Sequence, residues 1–314
     1  MKKEILVHPD ELTEKSIRRA KALGISAIGI HPAGGDLADE TLSDLLALAK
    51  TDEFRRKIDY ARSEGLTVEY EFHAMKSLLP RSLFPAHPEY FRMDEDGVRT
   101  PDNNCCPSSA GALERIGENA RRIAKQLYGS SHRYYFWPDD LRGRDCKCPL
   151  CRALSSSDQQ LLMANAILSA LRKDDPAASV CYIAYHDSIL PPTSVRPADG
   201  VFLEFAPMDR YRYDKETGWS VDPVETVLAQ LDALCKVFPK GSAKILEYWL
   251  DNSMYSRWKK PPKKFLPDNA QILRDLSVYE SAGYTDVASF ACYLGEDYEA
   301  LYGEPDLSAF AGEN

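Results

Sequence analysis

No run of apolar residues in this 314-residue chain approaches the ~20 needed to cross a bilayer as a helix, so no membrane-spanning segment and no membrane partner are expected. Positive charge is also in short supply. Lys and Arg number 39 against 48 Asp and Glu, for a net charge of -9, which offers no electrostatic footprint to phosphate backbones and argues against a nucleic-acid partner. A secretory leader is not apparent either: Met1-Lys2-Lys3-Glu4 leads straight into a strand-like Ile5-Leu6-Val7, and a cytoplasmic location is expected. Disorder and small disulfide scaffolds are excluded by the length together with 44% hydrophobic and 28% charged residues, enough to bury a large core. Histidine is scarce, six in all, which makes its placement informative.

Short β-branched and aromatic runs bounded by Pro, Gly, Asp or His recur along the chain. They are Ile5 to His8, Ala27 to His31, Thr67 to His73, Tyr134 to Trp137, Val180 to His186, Val201 to Phe205, Lys244 to Leu250 and Val287 to Tyr293. Several are apolar on both faces, as strands between a packed interior and covering helices must be. Helical stripes separate most of them, for example Leu12, Ile17, Ala20 and Leu23 before Gly24, and Val224, Val227, Leu228, Leu231 and Leu234. Eight such βα units predict an α/β fold of the (β/α)8 TIM-barrel type, one domain spanning 1–314, with a doubly wound open sheet as the alternative. Between the fifth and sixth runs lie only Asp187 to Gly200, with Pro191, Pro192 and Pro197, so an irregular connection is expected there instead of a full helix.

In such a barrel the chemistry sits at the C-terminal strand ends. Those ends carry His8, His31, Glu71, His73, Asp139, Asp140, Tyr185, His186, Glu204, Glu247, Tyr248, Trp249, Asp251 and Tyr293, including four of the six histidines. The sharpest feature is Trp137-Pro138-Asp139-Asp140 at the end of the fourth run. Two neighbouring carboxyls can have their pKa values driven apart, as glycoside hydrolysis requires of a proton donor and a group that stabilises positive charge at the sugar carbon. Trp137, Tyr248 and Trp249 offer flat faces to a sugar ring, and Glu204 and Glu247 can accept from its hydroxyls. His73, Tyr185, His186 and Tyr293 complete the expected sugar-binding set. Strand alternation places Glu247 and Trp249 opposite Tyr248 and Leu250, so only one of these sets can face the interior. Glu204 is expected to point inward, because an unpaired Glu against the helix layer would be costly.

Cys146-Lys147-Cys148-Pro149-Leu150-Cys151 follows the acidic pair. Three thiols within six residues can wrap one ion, and Cys106 (or Cys105) could supply a fourth ligand to a structural zinc. Free thiols and a disulfide are the alternatives. No organic cofactor is expected.

The motifs His73 through Leu79-Pro80, His87-Pro88-Glu89-Tyr90-Phe91, Gly97-Val98-Arg99, Asn104-Cys105-Cys106, Asp139-Asp140 and the cysteine cluster together resemble a large bacterial family long labelled a domain of unknown function. The resemblance covers roughly residues 65 to 300 and implies a glycoside-hydrolase-like TIM barrel; some members are endo-β-N-acetylglucosaminidases acting on complex N-glycans. The Asp139-Asp140 pair is also similar to the adjacent acids of β-N-acetylhexosaminidases. That likeness implies a retaining, substrate-assisted mechanism in which Asp139 orients the acetamido group and Asp140 is the general acid and then base. A departure is that many hexosaminidases have Asp-Glu at this place. Two further readings compete: a two-carboxylate glycosidase using Asp140 with Glu247 or Glu204, and a non-catalytic carbohydrate-binding barrel. Metal catalysis by His8, His31, His73 and His186 is disfavoured, because no His-x-His pair ends the first strand.

Overall fold

The computed structural model describes residues 1–216 and 218–312. Eight parallel strands close into a barrel: β1 (Lys2–Val7), β2 (Ala27–Ile30), β3 (Thr67–His73), β4 (Arg133–Trp137), β5 (Ser179–Ala184), β6 (Val201–Phe205), β7 (Lys244–Glu247) and β8 (Asp286–Phe290). Each pairs with its successor in sequence, and β8 closes on β1 in the register Lys2↔Asp286 to Leu6↔Phe290. This is the expected (β/α)8 barrel. The ladders of β5, β7 and β8 stop two to three residues short of the runs seen in sequence, because the polar ends turn out of the sheet to build the barrel mouth.

The covering layer comprises α1 (Glu14–Ala22), α2 (Ala38–Leu48), α3 (Asp52–Ser63), α4 (Ala110–Ala124), α5 (Ser156–Leu171), α6 (Glu225–Leu234) and α7 (Asn269–Ser281), followed by short helices at the C-terminus. Local chemistry sets their ends. Thr13 caps α1 by accepting from the Ser16 N–H at 3.1 Å, and Ser155 caps α5 through Asp158 N, also at 3.1 Å. Between β5 and β6 there is one 3-10 turn, His186–Ser188, and no full helix. The backbone there still needs partners, and the Asp158 carboxylate supplies them: Oδ1 accepts from Thr193, Ser194 and Val195 N–H groups at 3.0, 2.8 and 2.8 Å. A hairpin not foreseen from the sequence, Tyr211–Asp214 with Gly218–Val221, is inserted after β6.

The barrel interior is charged. Lys244, the first residue of β7, is fully buried, with its ammonium bonded to Glu71, 2.9 Å from Glu4 and 3.5 Å from Glu204. Its Nζ also lies 4.5 Å from the centre of the Tyr135 ring. Three carboxyls face one ammonium, and burial pushes the Glu71 carboxyl up to about 8 against the pull of Lys244, with Glu4 also driven well up. The cluster therefore holds protons at neutral pH.

The sign of the resulting pH effect is fixed. Above about 4.5 the unfolded chain has released the Glu71 proton, whereas the folded chain keeps it until about 8. Within that window the folded state binds more protons, so this group's contribution to stability falls as pH rises. Thermal melts of wild type and Glu71→Gln should show the variant gaining on wild type from pH 5 to 8 and the difference levelling off above. A difference independent of pH would contradict the protonated cluster.

Candidate active site

At the C-terminal mouth the strand ends surround a cavity of about 450 Å³. Histidines form one wall for a reason that begins in the backbone. Where parallel strands splay at a barrel mouth, their last carbonyls lose ladder partners and need donors. His8 Nδ1 donates to His31 O at 2.7 Å, His31 Nδ1 to Glu71 O at 2.9 Å, and His73 Nδ1 to Pro138 O at 2.5 Å. A carbonyl only accepts, so each Nδ1 carries the proton, and in the neutral ring Nε2 is left as an acceptor. All three rings line the cavity. His31 is 7% exposed, and burial pushes its imidazole well below the usual range, so it is neutral.

The floor is aromatic. Trp137 is held by its Nε1–H to Glu204 Oε2 at 2.8 Å and lies 5.5 and 5.2 Å, ring centre to ring centre, from His31 and His73. Tyr248 stacks on Phe290 at 5.1 Å. At the rim, Trp258 is 61% exposed and sits on left-handed backbone with φ of 52°, next to Arg257 at 58°. A side chain at Gly34 would fill the mouth, since a Cβ there would come within 2.9 Å of His73 Cδ2.

Besides the exposed Asp36, two carboxyls from different strand ends face this cavity. Asp140, just beyond β4, accepts from Tyr185 Oη at 3.0 Å on Oδ1, and its Oδ2 is 4.0 Å from His73 Nε2. Asp251, just beyond β7, caps the helical turn Asn252–Tyr255. Its Oδ1 accepts from Ser253 N, Ser253 Oγ and Met254 N, and its Oδ2 accepts from none of the described residues. Burial raises the Asp251 carboxyl above its ordinary value, and the Ser253 and Met254 bonds oppose that rise. Its sequence signal was Asp251-Asn252-Ser253, an N-cap pattern immediately after a strand.

Of the expected catalytic and sugar-binding residues, His73, Trp137, Asp140, Tyr185, Tyr248 and Tyr293 line the cavity, together with His8, His31 and Asp251 from the other strand ends. Five do not. Glu247 and Trp249 occupy the outer face of β7: Glu247 is bonded to Arg210, Tyr211 and Tyr279, and Trp249 Nε1 donates to Asp275 at 3.1 Å. Tyr248 therefore faces inward in their place. Glu204 does point inward, but it is fully buried beneath Trp137, shared with Lys244 and Cys181. His186 turns to Asp209 and borders a shallow neighbouring recess. Asp139 lines that same recess, its Oδ2 held by Arg81 Nη2 at 3.0 Å and Asn104 N at 2.7 Å. Residues that sequence reasoning missed are Trp258 and Phe290; Trp258 lies in an aperiodic loop, which carries no pattern to read.

Behind that recess, Cys106, Cys146, Cys148 and Cys151 form a buried cluster whose sulfurs all lie within 4.8 Å of one another and could hold a metal ion. Cys106 Sγ is 3.7 Å from Cys148 Sγ and 3.8 Å from Cys151 Sγ. Four thiolates about 2.3 Å from a tetrahedral centre stand about 3.8 Å apart, so the spacing fits. The backbone prepares the site: Met93 N–H points at Cys146 Sγ at 3.3 Å, and Gln159 from α5 bonds Cys146 N at 2.9 Å and Cys146 O at 3.0 Å. Cys105 is buried in the main core instead, against Met163. No disulfide is formed.

A (β/α)8 barrel with an aromatic floor, a histidine wall and two carboxyls at its C-terminal mouth is thus the class of protein defined here. The chain belongs to the family described as "Domain of unknown function (DUF4838)", whose profile matches residues 47–220. No curated protein matches it by sequence. Among solved structures it is similar to the β-galactosidase of the psychrophilic Marinomonas ef1, with a TM-score of 0.56, 13% identity, and coverage of 92% of this chain and 54% of that one. It spans only about half of that enzyme. It is similar as well to endo-glycoceramidase II from Rhodococcus sp., at TM-score 0.53 and 12% identity, covering 93% and 72% of the two chains. A third is the tandem GH20 catalytic modules of the pneumococcal exo-β-D-N-acetylglucosaminidase StrH, at TM-score 0.51 and 10% identity, covering 100% and 83%. At these identities the likeness establishes the common barrel. Among the described residues no helix is long and apolar enough to cross a membrane.

Proposed function

We propose that this barrel is a glycoside hydrolase whose proton donor is Asp140. The observation that carries the reading is that Asp140 and Asp251 line one aromatic-floored cavity, as a proton donor and a charge-holding partner would. Roles follow from placement. The Asp140 side chain is 32% exposed at the rim, where a leaving group departs toward solvent and must receive a proton. Asp251 is buried deeper, with one oxygen anchored by three donors and the other free, suited to positive charge developing at the sugar carbon. Trp137 and Tyr248 would carry the apolar face of the ring, and the histidine Nε2 atoms would accept from its hydroxyls. The solved barrels of similar fold, named for β-galactosidase, glycoceramidase and N-acetylglucosaminidase activity, agree with this chemistry.

The substrate-assisted hexosaminidase mechanism asks Asp139 to reach a 2-acetamido group. Its carboxylate is instead tied to Arg81 and Asn104, and we assign it the positioning of the loop that presents Asp140. Glu247 and Glu204, both sequestered in buried ion pairs, give way to Asp251 as the second carboxyl. The test is turnover of a panel of aryl glycosides and reducing-end-labelled oligosaccharides, with and without a 2-acetamido group, by wild type, Asp251→Ala and Asp139→Ala. Loss of activity in Asp251→Ala, with Asp139→Ala much less affected, supports the two-carboxylate reading. Activity confined to 2-acetamido sugars and lost in Asp139→Ala restores the substrate-assisted one.

We assign the four-cysteine cluster to a structural zinc, as its thiol chemistry and tetrahedral spacing suggest. Its ligands would join the loop after β3 to the loop after β4, and Asn104, two residues before Cys106, grips Asp139 from both its backbone N–H and its side chain. Purified protein should carry about one equivalent of zinc by emission spectrometry. Cys148→Ser should lower the melting temperature by about 10 °C, as loss of a ligand from a folding-coupled site would. A metal-free protein of unchanged stability would retire the assignment.

A further inference from the structure

We propose that the cavity selects an uncharged or positively charged sugar ring and rejects sugars bearing a carboxylate. This rests on the reading of the cavity as a sugar site and adds the class of sugar to it. Every Nδ1 on the histidine wall is committed to a backbone carbonyl, so the Nε2 of neutral His31 can only accept, and no ring on this wall has an Nδ1–H left to offer a ligand. His31 is more than nine-tenths buried, and its Nε2 has no partner among the described residues. The carboxyl oxygens of Asp251 and of Asp36 at the rim accept as well. Of the lining hydroxyls, Tyr185 donates to Asp140 and Ser253 to Asp251, which leaves those of Tyr248 and Tyr293 as single neutral donors.

No Lys or Arg is among the described residues lining the cavity. Nearby cations are committed elsewhere: Arg81 to Asp139 at 3.0 Å, Lys260 to Asp297 at 2.8 Å, and Lys244 below the floor. A ring that brings hydroxyl or ammonium donors satisfies this wall. A uronate or sialate would bring an acceptor-only anion beside the buried Asp251 carboxyl with no Lys or Arg fork to receive it, the like-charge juxtaposition that specific sites use to exclude wrong partners.

The test is isothermal titration of the full chain at pH 7 with matched gluco, galacto and manno sets: the methyl glycoside, the corresponding methyl uronate, the protonated iminosugar and its neutral lactam. In at least one configuration the iminosugar should bind about 100-fold tighter than the lactam, weaken several-fold between low and high salt, and lose its advantage in Asp251→Asn. The uronates should show no measurable binding. Uronate binding equal to that of the methyl glycoside, or turnover of uronides, overturns this inference and leaves the hydrolase reading standing. Iminosugar binding with this charge pattern in a protein that cleaves no glycoside upholds the inference and overturns the hydrolase. Absence of binding by every member of the panel overturns both.

Discussion

Replacing Asp140 by alanine is expected to lower kcat/KM on oligosaccharides by about 10²- to 10⁴-fold, the usual contribution of a positioned general acid. The loss should depend on the leaving group. An alcohol departs poorly without a proton, whereas a nitrophenolate needs little help, so aryl glycosides should retain most of their turnover in the step where the aglycone leaves. Tyr185→Phe removes the phenol that orients Asp140 through the 3.0 Å bond and should have a smaller effect in the same direction. Asp251→Ala should hurt both substrate types, because charge develops at the sugar carbon whatever departs; about 10²- to 10³-fold is the scale for preorganised electrostatic groups. Equal losses on both substrate types in Asp140→Ala would assign that residue a role other than proton donor.

The second large effect is on stability. Lys244→Met should destabilise the fold by about 3 to 5 kcal/mol, the scale seen when one partner is taken from a buried ion network. The side chain is fully buried, and its removal leaves Glu4, Glu71 and Glu204 crowded in the barrel with no cation among them. Denaturant unfolding at pH 7 measures the difference. Glu71→Gln in the same chain should recover part of it. A Lys244→Met protein as stable as wild type at pH 7 would mean that the buried carboxyls need no counter-ion.

The barrel was legible because its strands are buried on both faces, so each shows as a short apolar block with a polar end. Those polar ends announced the mouth, and Trp137, Asp140, Tyr185 and Tyr248 meet there. What sequence could not decide was side. Along β7 the alternation allowed either Tyr248 or the pair Glu247 and Trp249 to face inward. The choice is made by Arg210 from the loop after β6 and by Asp275 and Tyr279 of α7, which trap Glu247 and Trp249 outside. The same holds for Asp139 and Asp140, adjacent in sequence yet directed to different recesses. Arg81, 58 residues earlier, claims Asp139 and leaves Asp140 to the cavity. Long-range partners of this kind leave no periodicity. The cysteines were more legible: three thiols within six residues marked one site, and of the two candidates to join them it is Cys106 that does, while Cys105 enters the main core.

Cleavage of glycosidic bonds in this cavity with Asp140 as proton donor can be separated from binding in a single experiment. Wild type and Asp140→Asn, an isosteric change that keeps the acceptor for Tyr185 and removes the proton, would be incubated with the same reducing-end-labelled neutral oligosaccharide while released reducing ends and bound ligand are both followed. The account predicts steady release by wild type, and binding of similar affinity with release reduced at least about 10²-fold in the variant. Release at the wild-type rate by Asp140→Asn, with binding intact, would contradict it.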